Sequence, residues 1–186
     1  MKTRRSKFLL ALSVPILILI GLLFKPATAY LFGDSIAVKT VPVDPRDLLY
    51  GDYVYLELDI NQVSADKLSK ELKEKIKSEQ EQHDVFTNAR SITVYSSLEK
   101  AGEMYEVDAV SLHKPEDGIY LKGEIMTWYS PESASTFYID YGLNRFYIEE
   151  NTGKALEEKS TRGELELILK VKNGYALIED IVMADE

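Results

Sequence analysis

Three carboxylates and a guanidinium crowd one short stretch, PVDPRDLLYGDYVYLEL over Pro42–Leu58, in which Asp44, Asp47 and Asp52 surround Arg46. Aspartates this close can hold a hard cation such as Ca²⁺, or can act as acid and base around a bond to be hydrolysed. Neither chemistry has its usual companions here: the spacing is not that of an EF-hand or another ligand loop, and no partner group for acid/base work stands nearby. The same residue types also suit a sharp double turn. Asp44-Pro45-Arg46-Asp47 fits a type I turn, with Asp accepting backbone hydrogen bonds and Pro presetting φ at the second position. Leu48 and Leu49 would then dip into a core, Gly51 would take a backbone conformation other residues resist, and the chain would enter a strand at Asp52. The stretch therefore reads first as a corner in which Arg46 is braced by charge-assisted hydrogen bonds, with a cation or substrate site as the alternative.

The elements that must position these residues are mostly strands. In VYLELDI, Val54, Leu56, Leu58 and Ile60 alternate with Tyr55, Glu57 and Asp59, the period of a half-buried strand. Leu165, Leu167, Leu169 and Val171 repeat the pattern, and Asn173-Gly174 before Tyr175 marks a two-residue hairpin. Further strands are expected near 36–41, 92–98, 104–110, 119–127, 136–141 and 145–148, separated by the turn-rich segments EKAGE, KPEDG and GLN. About nine short strands argue for a mainly β (α+β) domain, an antiparallel sandwich or partly closed barrel. One helix is inserted: over Ser64–Gln82 the residues Ala65, Leu68, Leu72 and Ile76 form a narrow apolar stripe, with Ser64 as N-cap and Lys/Glu pairs on a solvated outer face. This spacing predicts a surface insertion on the rim of the β domain.

Ahead of all this, MKTRRSK is followed by an uncharged apolar run from Phe8 to Phe24. As a helix the run would be about 26 Å long, close to the thickness of a bilayer's hydrocarbon. Lys2, Arg4, Arg5 and Lys7 before it and Lys25 after it predict a cytoplasmic N-terminus and an extracytoplasmic remainder. Ala27-Thr28-Ala29 also meets the form of a signal-peptide cleavage site, but the run is longer than the usual apolar core of a signal peptide, which favours an uncleaved anchor. The expected organisation is a basic segment 1–7, a transmembrane helix 8–24, a linker 25–34 and a β-rich domain 35–186.

Charge and composition remove several function classes. The five cations named above all precede the first acid, Asp34, so residues 26–186 keep 17 cations against 31 acids, a net charge of about −14. A domain that acidic repels phosphate backbones and argues against a nucleic-acid partner. Cysteine is absent, which excludes disulfides and thiolate chemistry. Gly153-Lys154 lacks the preceding glycine and the following hydroxyl of a phosphate loop, so no nucleotide is implied. His83 and His113 read as isolated surface residues, and Trp128, Tyr129, Phe137, Tyr138, Phe146 and Tyr147 as packing aromatics. No cofactor or metal is called for. Ser35 lacks the neighbours that a signal-peptidase-like nucleophile requires.

A second block, GLNRFYIEENTGKALEE over Gly142–Glu158, reads as a turn between two hairpin strands, Phe137–Tyr141 and Arg145–Ile148, followed by a short helix capped by Asn151 or Thr152. Arg145 can pair with Glu149 or Glu150, or can join Arg46 and Asp52 in a shared cleft. The first block resembles the signature of the GDYXXLXY family, membrane-anchored bacterial proteins with no established reaction. Gly51, Asp52, Tyr53 and Leu56 match that signature, and Leu58 departs from its final tyrosine. The second block is similar to another characteristic stretch of the family. The resemblance implies an extracytoplasmic domain on a single helix, often encoded beside a multi-pass membrane protein. Two functional readings follow: a non-enzymatic accessory or interaction module working with a membrane or envelope partner, and a hydrolase or cation-binding domain using carboxylates such as Asp47, Asp52 and Glu150.

Overall fold

A computed structural model describes residues 2–41, 53–55, 57–82, 91–126, 135–147 and 165–183. It begins with one helix, α1 (Lys2–Phe32), in which residues 10–32 form a stretch long and apolar enough to cross a membrane. Pro15 and Pro26 lie inside this helix, where each removes a backbone donor. Ser13 Oγ donates to the Leu10 carbonyl at 2.8 Å and Thr28 Oγ1 to the Lys25 carbonyl at 2.9 Å, back-bonds of the kind that occupy helix carbonyls near such prolines. Residues 25–32, read from the sequence as a linker, thus continue the helix; Ala27 and Ala29 favour it, and tertiary contacts hold it.

Eleven strands are described after α1, all paired antiparallel within their sheets. They are β1 (Asp34–Val41), β2 (Tyr53–Tyr55), β3 (Glu57–Leu58), β4 (Gln62–Ser64), β5 (Ser91–Ala101), β6 (Met104–Ser111), β7 (Ile119–Met126), β8 (Thr136–Asp140), β9 (Arg145–Tyr147), β10 (Leu165–Lys172) and β11 (Tyr175–Met183). Four form a half-barrel sheet in the order β11-β10-β1-β3, and five form a second sheet in the order β4-β8-β7-β5-β6. The second sheet is nearly a closed barrel, because Leu68, just beyond β4, makes a parallel bridge to Val110 of β6, and the Ser69 N–H donates to the Val110 carbonyl at 2.8 Å. The remaining pair, β2-β9, is a separate ribbon. The architecture is the antiparallel β domain expected from the alternation of apolar residues.

One continuous core joins both sheets: Ile36 and Val38 of β1 and Leu165, Leu167, Leu169 and Val171 of β10 pack with Val94, Leu121, Ile125 and Ile139. The hairpin expected at Asn173-Gly174 is present, with φ of 51° and 77° and Lys172 opposite Tyr175, the left-handed pair that a two-residue turn requires. Gly174 has a second role. A Cβ there would lie 2.6 Å from the Tyr120 ring, and its carbonyl accepts from the Lys122 N–H at 2.8 Å, which ties the half-barrel sheet to β7.

Two expectations are corrected. The helix does not start at Ser64: residues 65–67 form a 3-10 turn, Leu68 is extended, and α2 (Lys70–Gln82) is capped by Ser69, whose Oγ accepts from the Leu72 N–H at 3.2 Å. The Ser64 hydroxyl instead donates to Asp66, a bond that, first among its causes, holds the Asp66 carboxyl below its usual range. Nor is the helix a rim excursion. Leu72 is fully buried and Leu68 and Ile76 are buried with it in the main core, because the stripe is the only apolar face this helix can offer to β6. Its outer face is solvated as expected at Glu71, Lys73, Glu74 and Lys75, and Lys75 pairs at 2.8 Å with the largely buried Glu79.

The second correction concerns Phe137–Tyr141 and Arg145–Ile148, which do not form a hairpin with each other. β8 pairs with β4 and β7, whereas β9 pairs with β2. Burial of Leu143 in the core draws the intervening chain inward, and Gly142, at φ 72°, turns it with its N–H on Asp140 Oδ1 at 2.7 Å.

Candidate functional site

The segment read as one strand over residues 54–60 falls in two strands of different sheets, β2 paired with β9 and β3 paired with β1, and β4, paired with β8, follows it directly. Between β3 and β4 the chain turns through a 3-10 turn at Asp59–Asn61. Leu58 and Ile60 are buried as the alternation requires, so the apolar periodicity is obeyed although the strand is broken. Asn61 makes the break possible. Its Oδ1 accepts from the Leu58 N–H at 2.9 Å, its Nδ2 donates to the Ile139 carbonyl at 2.7 Å, and the side chain is buried. Gln62 Nε2 reaches back across the same turn to Glu57 Oε1 at 3.0 Å. Sequence reasoning missed Asn61; an Asn following an apolar strand end is the only signal it left.

A second crossing lies opposite. β8 ends at Asp140, the chain passes through Tyr141–Asn144, and β9 begins at Arg145. β8 approaches β7 closely at Gly123, where a Cβ would meet Ile139 Cγ2 at 2.6 Å and Tyr141 Cδ1 at 2.8 Å. The Tyr141 hydroxyl turns inward and donates to Ser96 Oγ at 2.7 Å, and burial pushes its pKa well above the ordinary tyrosine value. The Asn61–Ile139 bond therefore links the two crossings, and the β2-β9 ribbon joins the chain just before one and just after the other.

The ribbon brings two of the singled-out residues onto one pair of strands. Its register sets Tyr53 opposite Tyr147, Val54 opposite Phe146 and Tyr55 opposite Arg145. Positions 53, 55, 145 and 147 thus share one face of the ribbon, and 54 and 146 the other. Asp44, Arg46, Asp47, Gly51, Asp52, Leu56 and Glu150 lie outside the described residues, as do the expected turn at 44–47, the helix after Asn151, Trp128, Tyr129 and His83.

Elsewhere the candidates are structural. His113 is exposed, with Nε2 3.2 Å from a Glu71 carboxylate oxygen on α2. Ser35 Oγ donates to Glu179 Oε2 at 3.2 Å, and that carboxylate is 3.7 Å from Lys170 Nζ, so the serine is part of a surface network across β1, β10 and β11. Among the described residues no three of His, Asp and Glu are grouped as a metal would need.

Fold and site together define an antiparallel β domain, one sheet nearly closed, carried on a long apolar N-terminal helix. A family model described as "GDYXXLXY protein" matches residues 15–181, and the chain belongs to that family. The match extends from within α1 to β11 and includes both strands of the ribbon. No curated protein and no solved structure matches the chain.

Proposed function

We propose that this protein is a membrane-anchored extracytoplasmic interaction module, non-enzymatic, that holds its β domain at a set height and angle for a membrane or envelope partner. The observation that carries this reading is the junction of α1 with the domain. Ala29 is fully buried, the Gly33 N–H closes the helix on the Ala29 carbonyl at 2.9 Å, and any Cβ at Gly33 would collide with that carbonyl and lie 3.0 Å from the Val171 carbonyl. Lys25 Nζ also lies 5.6 Å from the centre of the Tyr175 ring. A catalyst of a dissolved substrate needs only a tether. A helix built into the half-barrel sheet instead transmits position, which suits recognition of something in the same membrane.

The junction also supports anchor over cleaved signal, since removal of residues up to Ala29 would uncover apolar surface beside β10 and β11. The basic residues before Phe8 support a cytoplasmic N-terminus. The ribbon joining both signature blocks is the partner-facing element, and a multi-pass membrane protein fits the family resemblance. The test is cross-linking in intact cells, extraction with detergent and identification of what co-purifies. One stoichiometric multi-pass partner, lost when Tyr55 and Arg145 are both replaced by Ala, supports the reading. A solitary chain with measurable hydrolase activity overturns it.

A further inference from the structure

We infer that the end of the β domain around the Asn173-Gly174 turn rests on the bilayer surface and takes anionic phospholipid headgroups. This inference rests on the reading of α1 as a membrane span. Lys25 is the first charge after the apolar run, so it marks the level where hydrocarbon gives way to headgroups. It precedes Gly33, where helix gives way to strand, by eight residues, about 12 Å along the helix axis. The contact of Lys25 with Tyr175 places the β10-β11 turn at that same level, beside the helix rather than above it.

Around this turn the domain departs from its general charge. Tyr120 packs against Gly174, Lys114 Nζ lies 5.6 Å from the centre of the Tyr120 ring, and the Lys122 Cβ borders Gly174. Tyr95 sets its ring edge-on to Tyr120, with centroids 6.1 Å apart. Residue 25 and segments 114–122 and 172–175 together hold four lysines, Lys25, Lys114, Lys122 and Lys172, against two acids, Glu116 and Asp117. With Asp34, which lies opposite Val171 at the same end of the sheet, the net charge there is about +1, in a chain whose residues 26–186 carry about −14. Lys25, Lys114 and Lys122 are exposed. Tyr120 is buried and backs the turn, whereas the half-buried Tyr175 beside Lys25 and Lys172 is suited to the headgroup layer, where a ring sits in the interface and an ammonium meets phosphate. The acidic remainder is repelled by the same surface, so charge favours the orientation that the helix junction sets.

The absence of native cysteine permits a direct test with the full chain. Asn173→Cys, labelled with a fluorophore, is reconstituted in nanodiscs carrying a headgroup-linked quencher, either in pure phosphatidylcholine or with a third of the lipid replaced by phosphatidylglycerol. Quenching at least threefold stronger in the anionic discs, and reduced to the phosphatidylcholine level by Lys114→Gln with Lys122→Gln, supports the inference. Equal quenching in both lipids, none in either, or quenching indifferent to the two substitutions overturns it while leaving the span intact. Failure of the chain to incorporate into discs overturns the span and this inference together. Should the double variant melt early, the single Lys122→Gln variant carries the comparison.

Discussion

The carboxamide of Asn61 donates to the backbone carbonyl of Ile139 at 2.7 Å, joining residues 78 positions apart across two of the places where the chain changes sheets. The same side chain accepts from the Leu58 N–H, so one buried group satisfies both ends of a gap that neither sheet ladder can close.

Replacing Asn61 by Ala leaves a buried donor and a buried acceptor without partners, and should lower stability by about 2–4 kcal/mol. Asn61→Asp retains the acceptor but turns an oxygen toward the Ile139 carbonyl, and should be no better near neutral pH. Urea unfolding followed by circular dichroism measures both. A loss under 0.5 kcal/mol for Asn61→Ala would show that the corner does not depend on this bond.

Leu72→Ala should cost about 2–5 kcal/mol, because a fully buried leucine is removed from the main core. Lys73→Ala, on the solvated face of the same turn, should change stability by less than about 0.5 kcal/mol. Equal and small effects would restore the helix to the status of a surface insertion.

At the β10-β11 turn, Gly174→Ala sets a methyl group into the Tyr120 ring at a φ of 77°, and should destabilise by about 1–3 kcal/mol. Asn173→Gly at a φ of 51° should be nearly neutral. Pairing Gly174→Ala with Tyr120→Ala should cost less than the sum of the two changes, which a double-mutant cycle in thermal melting reads out.

The pH dependence of Tyr141 follows from its raised pKa. The unfolded phenol ionises near 10, whereas the folded one resists ionisation, so the neutral side chain favours the folded state fully below about pH 10. That contribution is lost as pH climbs above 10, where only the unfolded state releases the proton. Stability of the native chain should fall more steeply than that of Tyr141→Phe between about pH 10 and 11. Parallel curves would mean that the hydroxyl is not buried in the folded chain, since burial is what raises its pKa.

Gly33→Val tests the junction. The added side chain meets the Ala29 and Val171 carbonyls, so the melting transition of the β domain should drop while retention in alkaline-washed membranes stays unchanged. An unaltered transition would mean that the helix is merely tethered. A reporter active only outside the cytoplasm, fused after Glu186, should be active in the same cells, and its silence would reverse the proposed orientation.

Much of this was legible in residue order because the signals are local. Alternation in Leu165–Val171 gave one face to the core, Asn173-Gly174 specified a turn through its left-handed pair, and the uncharged run before Lys25 marked a helix of membrane length. Of the proposed site, only Tyr53 and Arg145 can be followed into the described residues, and the family signature picked out both of the strands that carry them. Only the tertiary structure decided their pairing. Residues 54 and 55 read as the start of the strand over 54–60 and Arg145–Ile148 as the hairpin partner of Phe137–Tyr141, because local periodicity carries no information about which sheet a strand joins. That choice depends on long-range satisfaction of backbone groups: Asn61 reaching Ile139, Leu143 sinking into the core, and Gly123 admitting β8 closely enough to pair. The helix shows the same division. Its stripe was evident from spacing, but burial of Leu68, Leu72 and Ile76 in the main core required β6 to lie beneath them, a contact that residue spacing along the chain does not encode.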